Sequence, residues 1–346
     1  MRPAVILFLC AMVRAAAAAD PLPALGADAA ATTVSGISSG GYMAVQLHVA
    51  HAATVRGAGV LAAGPYWCAQ GSVWTAFFNC MTPGAWTPLP AAERLRGAVQ
   101  TLAAARAIDA PAALAESRVW LFGGTADRTV VPEVVDALER FYAGFVPGER
   151  IARVRDVGAG HAMVTEDAGA ACEVTASPFI NDCDFDAAGR LLAHLYGPLA
   201  PPPAAPAGRL LAFDQRRYAG GDAYAISMGD TGFAYVPAEC AVAACRVHVA
   251  LHGCRQGLEA IGERFVREAG YNRWADANRI VVLYPQAIAR NGPGFAGWRW
   301  TYVANPRGCW DWWGYTGPLY HTRAGPQVRA IKAMVDRLAA PRGARP

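Results

Sequence analysis

Apolar runs of strand length alternate with longer helix-like stretches along most of this sequence. From about Asp20 to Gly197 the order is ATTVSGIS (31–38), AVQLHVAHAA (44–53), GAGVLAAG (57–64), RVWLFGG (118–124), VVDALERFYAGF (134–145) and IARVRDVG (151–158). Short apolar strands separated by helical segments predict an α/β fold with a mostly parallel sheet and crossover helices. A further block, about Leu210 to Leu338, opens with two hairpin-like strands, AYAISMG (223–229) and GFAYVPA (232–238). Strands RVHVALHG (246–253) and IVVLYPQ (280–286) follow, and an amphipathic helix, PQVRAIKAMVDRLAA (326–340), closes it. Between the blocks lies GPLAPPPAAPAG, Gly197 to Gly208. Proline neither donates to a ladder nor continues a helix, so this stretch predicts a stiff, exposed linker.

The first residues carry a different pattern. Arg2 precedes an apolar run from Ala4 to Val13, and small residues extend to Ala19. That layout predicts a secretory leader over residues 1–19, although Arg14 interrupts it. The run is too short to span a bilayer, and no later stretch reaches the ~18 apolar residues a span needs, so no membrane span is expected. The expectation is a chain exported to the periplasm or the medium, with residues 20–346 forming a single catalytic domain that acts as a monomer. With 54% apolar and 17% charged residues, the composition fits a folded enzyme rather than a disordered segment. The net charge of +4 is spread without any basic run or stripe, so nucleic acid is not an expected partner.

Of the 9 cysteines, Cys10 falls in the leader. The rest are Cys68, Cys80, Cys172, Cys183, Cys240, Cys245, Cys254 and Cys309. An even set in an exported chain points to disulfides. Nearness suggests Cys68 with Cys80, Cys172 with Cys183 and Cys240 with Cys245, leaving Cys254 and Cys309 for each other, but such a set allows on the order of a hundred pairings. There is no CxxC pair and no His cluster at ligand spacing, so no metal site is expected.

Gly36-Ile37-Ser38-Ser39-Gly40 matches G-x-S-x-G, with a strand before it and a helix after it. This is the setting of a nucleophile elbow. The turn is so tight that small residues must flank the serine, and the helix N-terminus points N–H groups at developing negative charge. The bland alternative is an ordinary Gly/Ser turn capping a helix. A serine nucleophile needs a base and an acid, which in such folds follow it in the order acid, then histidine. RVWLFGGTAD ends a strand and places Asp127 on the following turn, where an Asx cap is the competing role. Asp109 and Asp136 read as helix or cap positions, and Asp156 lies in the next strand. That strand ends in Gly158-Ala159-Gly160-His161, a glycine-rich loop that can carry an imidazole over a serine. His48, His51, His194 and His248 fall within helices or strands and read as structural.

Leu251-His252-Gly253-Cys254 resembles the His-Gly oxyanion loop of α/β-hydrolases, which normally precedes the elbow. Here it follows by some two hundred residues. Placing Leu210–Leu338 ahead of Asp20–Gly197 restores the usual order, so the sequence implies a circularly permuted α/β-hydrolase fold. On that reading the backbone N–H groups of Ser39 and Cys254 form the oxyanion hole, and His252 orients the loop.

The stretches VSGISSGGYMAVQL, FGGTADRTVVP, GAGHAM, LHGCRQ, VVLYPQ and NPRGCWDWWGYTGPLYHTRAGPQ together resemble the poly(3-hydroxybutyrate) depolymerase family, in its circularly permuted, single-domain form. The resemblance spans nearly the whole chain after the leader. It implies a triad of Ser38, Asp127 and His161, an oxyanion hole from Ser39 and Cys254, a polyester or oligoester substrate, and no cofactor. Trp298, Trp300, Trp310, Trp312 and Trp313 crowd a loop-like span near Cys309. If Cys254 bonds Cys309, this span is tethered beside the oxyanion donor, which makes Trp310, Trp312 and Trp313 candidates to bind the polymer. Two other readings compete: an esterase for acetyl or feruloyl groups on polysaccharide, and a non-catalytic polymer-binding protein.

Overall fold

The fold is built on one eight-stranded sheet in which both sequence blocks take part. The computed structural model describes residues 20–296 and 299–344, so the leader (1–19) and Trp298 lie outside the described residues. In chain order the first block supplies β1 (Asp28–Ile37), α1 (Ser39–Ala50), β2 (Val55–Leu61), α2 (Val73–Cys80), α3 (Ala92–Ala104), β3 (Arg118–Phe122), α4 (Pro132–Tyr142) and β4 (Ile151–Val154). Three short strands follow, β5 (Met163–Thr165), β6 (Ala170–Ala171) and β7 (Ile180–Asp182), and then α5 (Ala187–Tyr196). The second block supplies β8 (Arg209–Asp214), β9 (Thr231–Val236), β10 (Arg246–Leu251), α6 (Leu258–Ile261), α7 (Arg264–Glu268), α8 (Tyr271–Ala277), β11 (Ile280–Tyr284), β12 (Arg290–Ala296), β13 (Arg299–Asn305) and α9 (Pro326–Ala339).

Across the main sheet the order is β4-β3-β2-β1-β10-β11-β9-β8. The six strands from β4 to β11 run parallel; β9 is antiparallel to β11, and β8 to β9. Strands β10 and β11 are buried on both faces, because helices cover both. One apolar cluster joins the sheet to α1, α4 and α9, and a second joins it to α5, α7 and α8. Every residue of α1 is buried, which explains why that helix is apolar all round instead of striped.

The permutation is visible in how the ends meet. Leu25 and Ala27 donate backbone hydrogen bonds to the Leu338 carbonyl at 3.0 and 3.1 Å, and Gly26 donates to Ala340 at 2.9 Å. The last helix therefore ends where the lead-in to β1 begins. The Pro-rich stretch bridges α5 to β8 instead. It is not loose: the Asp276 carboxylate accepts the Ala207 and Gly208 N–H groups at 2.9 and 2.8 Å, and Asn278 brackets Ala200 through both of its backbone groups.

Two local expectations are corrected. The partner of β9 is Arg209–Asp214, not Ala223–Gly229. Asp222 accepts the Tyr224 N–H at 3.0 Å and starts a short helical turn, a side-chain-to-backbone bond that diverts this segment from the sheet. The tryptophan span, read as loop-like, includes β13, which pairs antiparallel with β12, before the true loop carrying Cys309 to Trp313.

Candidate active site

The elbow sits where β1 turns into α1. Ser38 holds φ 55° and ψ −123°, a conformation costly for any residue with a side chain. Its N–H is fixed by the Leu61 carbonyl at 3.0 Å, and its own carbonyl receives Tyr42 N–H at 3.0 Å. The flanking glycines are required by space. A Cβ on Gly36 would lie 2.3 Å from the Gly40 carbonyl oxygen. A Cβ on Gly40 would lie 2.3 Å from Leu251 O and 2.4 Å from His252 O, so only glycine lets the loop after β10 ride over the start of α1. That loop carries Cys254. Among the described residues no protein acceptor takes the N–H of Ser39 or of Cys254.

His161 arrives on the loop after β4 and lines the same cleft as Ser38. Its backbone N–H is held by Thr175 Oγ1 at 2.9 Å. Its ring Nδ1 donates to Asp127 Oδ2 at 2.7 Å. Asp127, on the turn after β3, is fully buried, and its second oxygen accepts N–H bonds from Thr129 and Val130 at 2.8 and 3.0 Å. Three bonds thus hold the carboxylate in place, and it fixes which imidazole nitrogen carries the proton.

His252 braces the loop from behind. Burial lowers its pKa to about 4, so the ring is neutral. Nδ1 donates to Gly253 O at 2.7 Å, while Nε2 accepts the Ala287 N–H at 3.0 Å. Gln256, which sequence reasoning left without a role, adds a second brace. It accepts the Gly253 N–H at 2.7 Å and donates to Phe179 O at 2.7 Å, joining this loop to the segment that follows His161. The disulfides are Cys68–Cys80, Cys172–Cys183, Cys240–Cys245 and Cys254–Cys309. The last ties the loop after β10 to the tryptophan loop.

The three tryptophans separate. Trp312 and Trp313 line the cleft, and Trp312 stacks on Tyr42 with centroids 3.9 Å apart. Trp310 departs from the expectation: it is fully buried and offers no surface to a ligand. Its indole N–H donates to His252 O at 3.0 Å, and its backbone N–H reaches Ser39 Oγ at 3.3 Å. It pins the elbow to the neighbouring loop. Two further histidines are locked inside the fold. His48 and His248 are fully buried with both ring nitrogens bonded to hydroxyls.

The walls of the cleft include Phe77 and Met81. Phe77 belongs to α2, a helix held by Cys68–Cys80 that turns Trp74, Phe77 and Phe78 outward, with Trp86 97% exposed nearby in sequence. The signal for this apolar face was the aromatic string VWTAFF between two cysteines. Among the described residues no three His, Cys, Asp or Glu side chains are grouped as metal ligands would be.

No protein-family model matches the chain. It is 45% identical over 332 residues to the poly(3-hydroxybutyrate) depolymerase of Delftia acidovorans, covering 94% of this chain and 63% of that relative's length. It is 37% identical to the polyhydroxybutyrate depolymerase of Talaromyces funiculosus, over 96% of each protein. Among solved structures, the PHB depolymerase from Penicillium funiculosum superposes with a TM-score of 0.82 at 33% identity, covering 92% of this chain and 98% of that one. A PHB depolymerase complexed with an R3HB trimer superposes equally well. With this likeness running from end to end of the fungal relative, the chain belongs to the poly(3-hydroxybutyrate) depolymerase family.

Proposed function

We propose that this chain is a serine esterase that hydrolyses poly(3-hydroxybutyrate) or its oligomers through an acyl-enzyme. The observation that supports this most is the His161–Asp127 pair facing the cleft that also holds the strained elbow serine. His161, with Nδ1 engaged by Asp127, accepts the Ser38 proton at Nε2 as Ser38 Oγ attacks an ester carbonyl. The carbonyl oxygen becomes an anion, met by the N–H groups of Ser39 and Cys254; one such donor is typically worth about 10² to 10³ in rate. His161 then gives its proton to the leaving alkoxide, and a water activated by the same ring releases the acid. Asp127 keeps its charge throughout and stabilises the imidazolium.

The apolar walls from Tyr42, Phe77, Met81, Trp312 and Trp313 suit a chain of methyl and ester groups. The outward aromatics of α2 and Trp86 give a solid polymer an apolar surface to rest on. Four disulfides and the leader pattern support export to an oxidising compartment, and among the described residues no helix is long and apolar enough to cross a membrane. Both sequence blocks contribute strands to one sheet, which supports residues 20–346 as a single catalytic domain, and we take it to act as a monomer.

The test is product analysis after incubation with amorphous polymer and with short hydroxybutyrate oligomers. Release of 3-hydroxybutyrate or short oligomers is expected, and Ser38→Ala should abolish it while leaving the circular dichroism spectrum intact. Cleavage of aryl acetates or feruloylated sugars with the polyester untouched would refute the substrate. Polymer adsorption without turnover would refute the esterase.

A further inference from the structure

Two arginines stand at the cleft with no carboxylate to neutralise them. Arg255 and Arg307 both line the cavity that holds Ser38 and His161. Both are exposed, and among the described residues neither makes an ion pair. Their backbones are joined, Arg255 N–H donating to Arg307 O at 2.7 Å, and the Cys254–Cys309 disulfide lies beside both. Glu259 shares the adjoining recess with them but comes into no ion-pair contact with either. Arg255 also occupies a left-handed backbone position, φ 59°, immediately after the oxyanion donor. Glycine or asparagine would fit that position at less cost, so an arginine there sits against its local backbone preference.

The neighbours of Arg255 say which side of the scissile bond it serves. Its guanidinium lies over the Phe179 ring, 5.2 Å from the centroid. Phe179 and Thr175 line a shallow recess with Arg255, and Thr175 is the residue that holds the His161 backbone. His161 must protonate the leaving oxygen, so the alcohol product departs on this side. In an oligomer of hydroxybutyrate, the alcohol side carries the free carboxylate end. When the last ester bond is cut, that carboxylate lies only three bonds from the leaving oxygen.

Building on the esterase reading above, we infer that Arg255 and Arg307 bind the terminal carboxylate of short oligoesters and so direct cleavage to the ester bond nearest the acid end. A planar guanidinium matches a carboxylate with two parallel N–H bonds, and a second cation adds to the field. The chemistry of cleavage is unchanged; the pair selects which ester is presented. Interior bonds of a long polymer have no charge to offer and gain nothing from it.

The experiment compares a hydroxybutyrate trimer as free acid with its methyl ester. In the wild type, kcat/KM for the acid should exceed that for the methyl ester by about five- to tenfold at low ionic strength. The ratio should fall towards one in 1 M salt, where the Debye length is about 3 Å. Arg255→Asn, which tolerates the left-handed backbone, combined with Arg307→Ala should bring the ratio to one; Arg255→Lys with Arg307→Lys should restore part of it. A wild-type ratio of one, or a ratio that the neutral variants leave intact, would overturn the inference. The wild-type salt series needs no variant to fold. Turnover of neither trimer by the wild type would instead count against the esterase reading, and methyl ester turnover keeps the two failures apart.

Discussion

Acid should unfold this protein early, because it stores neutral histidines in its interior. Burial lowers the pKa of His48 and His248 from an ordinary 6.5 to about 3, and that of His252 to about 4. The unfolded chain binds protons on these rings below pH 6.5, whereas the folded chain refuses them until pH 3 to 4. Stability is therefore complete above the unfolded value and falls as pH drops below it. From pH 7 to 5 each ring costs about 2 kcal/mol, so the three together cost about 6 kcal/mol. That is a large share of a stability of about 5–15 kcal/mol. His51 and His321, each lowered to about 4, add to the same slope. Urea unfolding of the oxidised protein, followed by tryptophan fluorescence at both pH values, measures the loss. His48→Gln isolates one ring. That ring bonds Tyr142 and Ser117 hydroxyls, both at 2.9 Å, so the variant is weaker at pH 7, yet it should lose about 2 kcal/mol less on going to pH 5. Burial raises the Asp311 pKa and works in the opposite sense, but it is common to both proteins and cancels in the difference. Equal losses in variant and wild type would refute the reasoning.

Other outcomes follow from the same geometry. Asp127→Asn should lower kcat by about 10³- to 10⁴-fold, because the amide no longer enforces the Nδ1–H tautomer of His161, and steady-state kinetics on a soluble oligomer would show it. Trp74→Ala with Trp86→Ala should weaken adsorption to polymer granules severalfold while soluble-trimer turnover stays within about twofold; equal losses in both would show that the face is not a docking surface. Cys254→Ser with Cys309→Ser opens a link across 55 residues. Loop-closure entropy puts that link at about 4 kcal/mol, and a melting curve with an activity assay would read both the stability loss and the slackened oxyanion loop.

The proposed chemistry was legible in the sequence where it is written locally. Ser38 sits between glycines because a strand-to-helix turn admits nothing larger, and that constraint appears as adjacent letters. Asp127 and His161 close consecutive strands of a parallel sheet, so their convergence follows from strand rhythm alone. The reordered blocks were legible because the oxyanion loop and the elbow appear in reversed order. What was not legible depends on which side chain faces which. Trp310 and Trp312 are two residues apart in one loop, yet one is swallowed by the elbow and the other faces the cleft. No periodicity in a loop distinguishes them. The strand at Arg209–Asp214 was masked by the prolines before it, and a single Asp222 bond turned the more apolar AYAISMG into a turn. Gln256 acts through two backbone contacts made from opposite blocks, which adjacency cannot show.

The order of the segments also decides when the molecule can become active. A nascent chain halted at the prolines already contains its hydroxyl, imidazole and carboxylate. It lacks the backbone amide of Cys254, the Trp310 anchor and the cystine that joins them. On the proposed mechanism, half of the anion cradle is thus translated last and locked only after oxidation. That mechanism makes an incomplete or reduced polypeptide a poor catalyst and keeps full reactivity for the finished product.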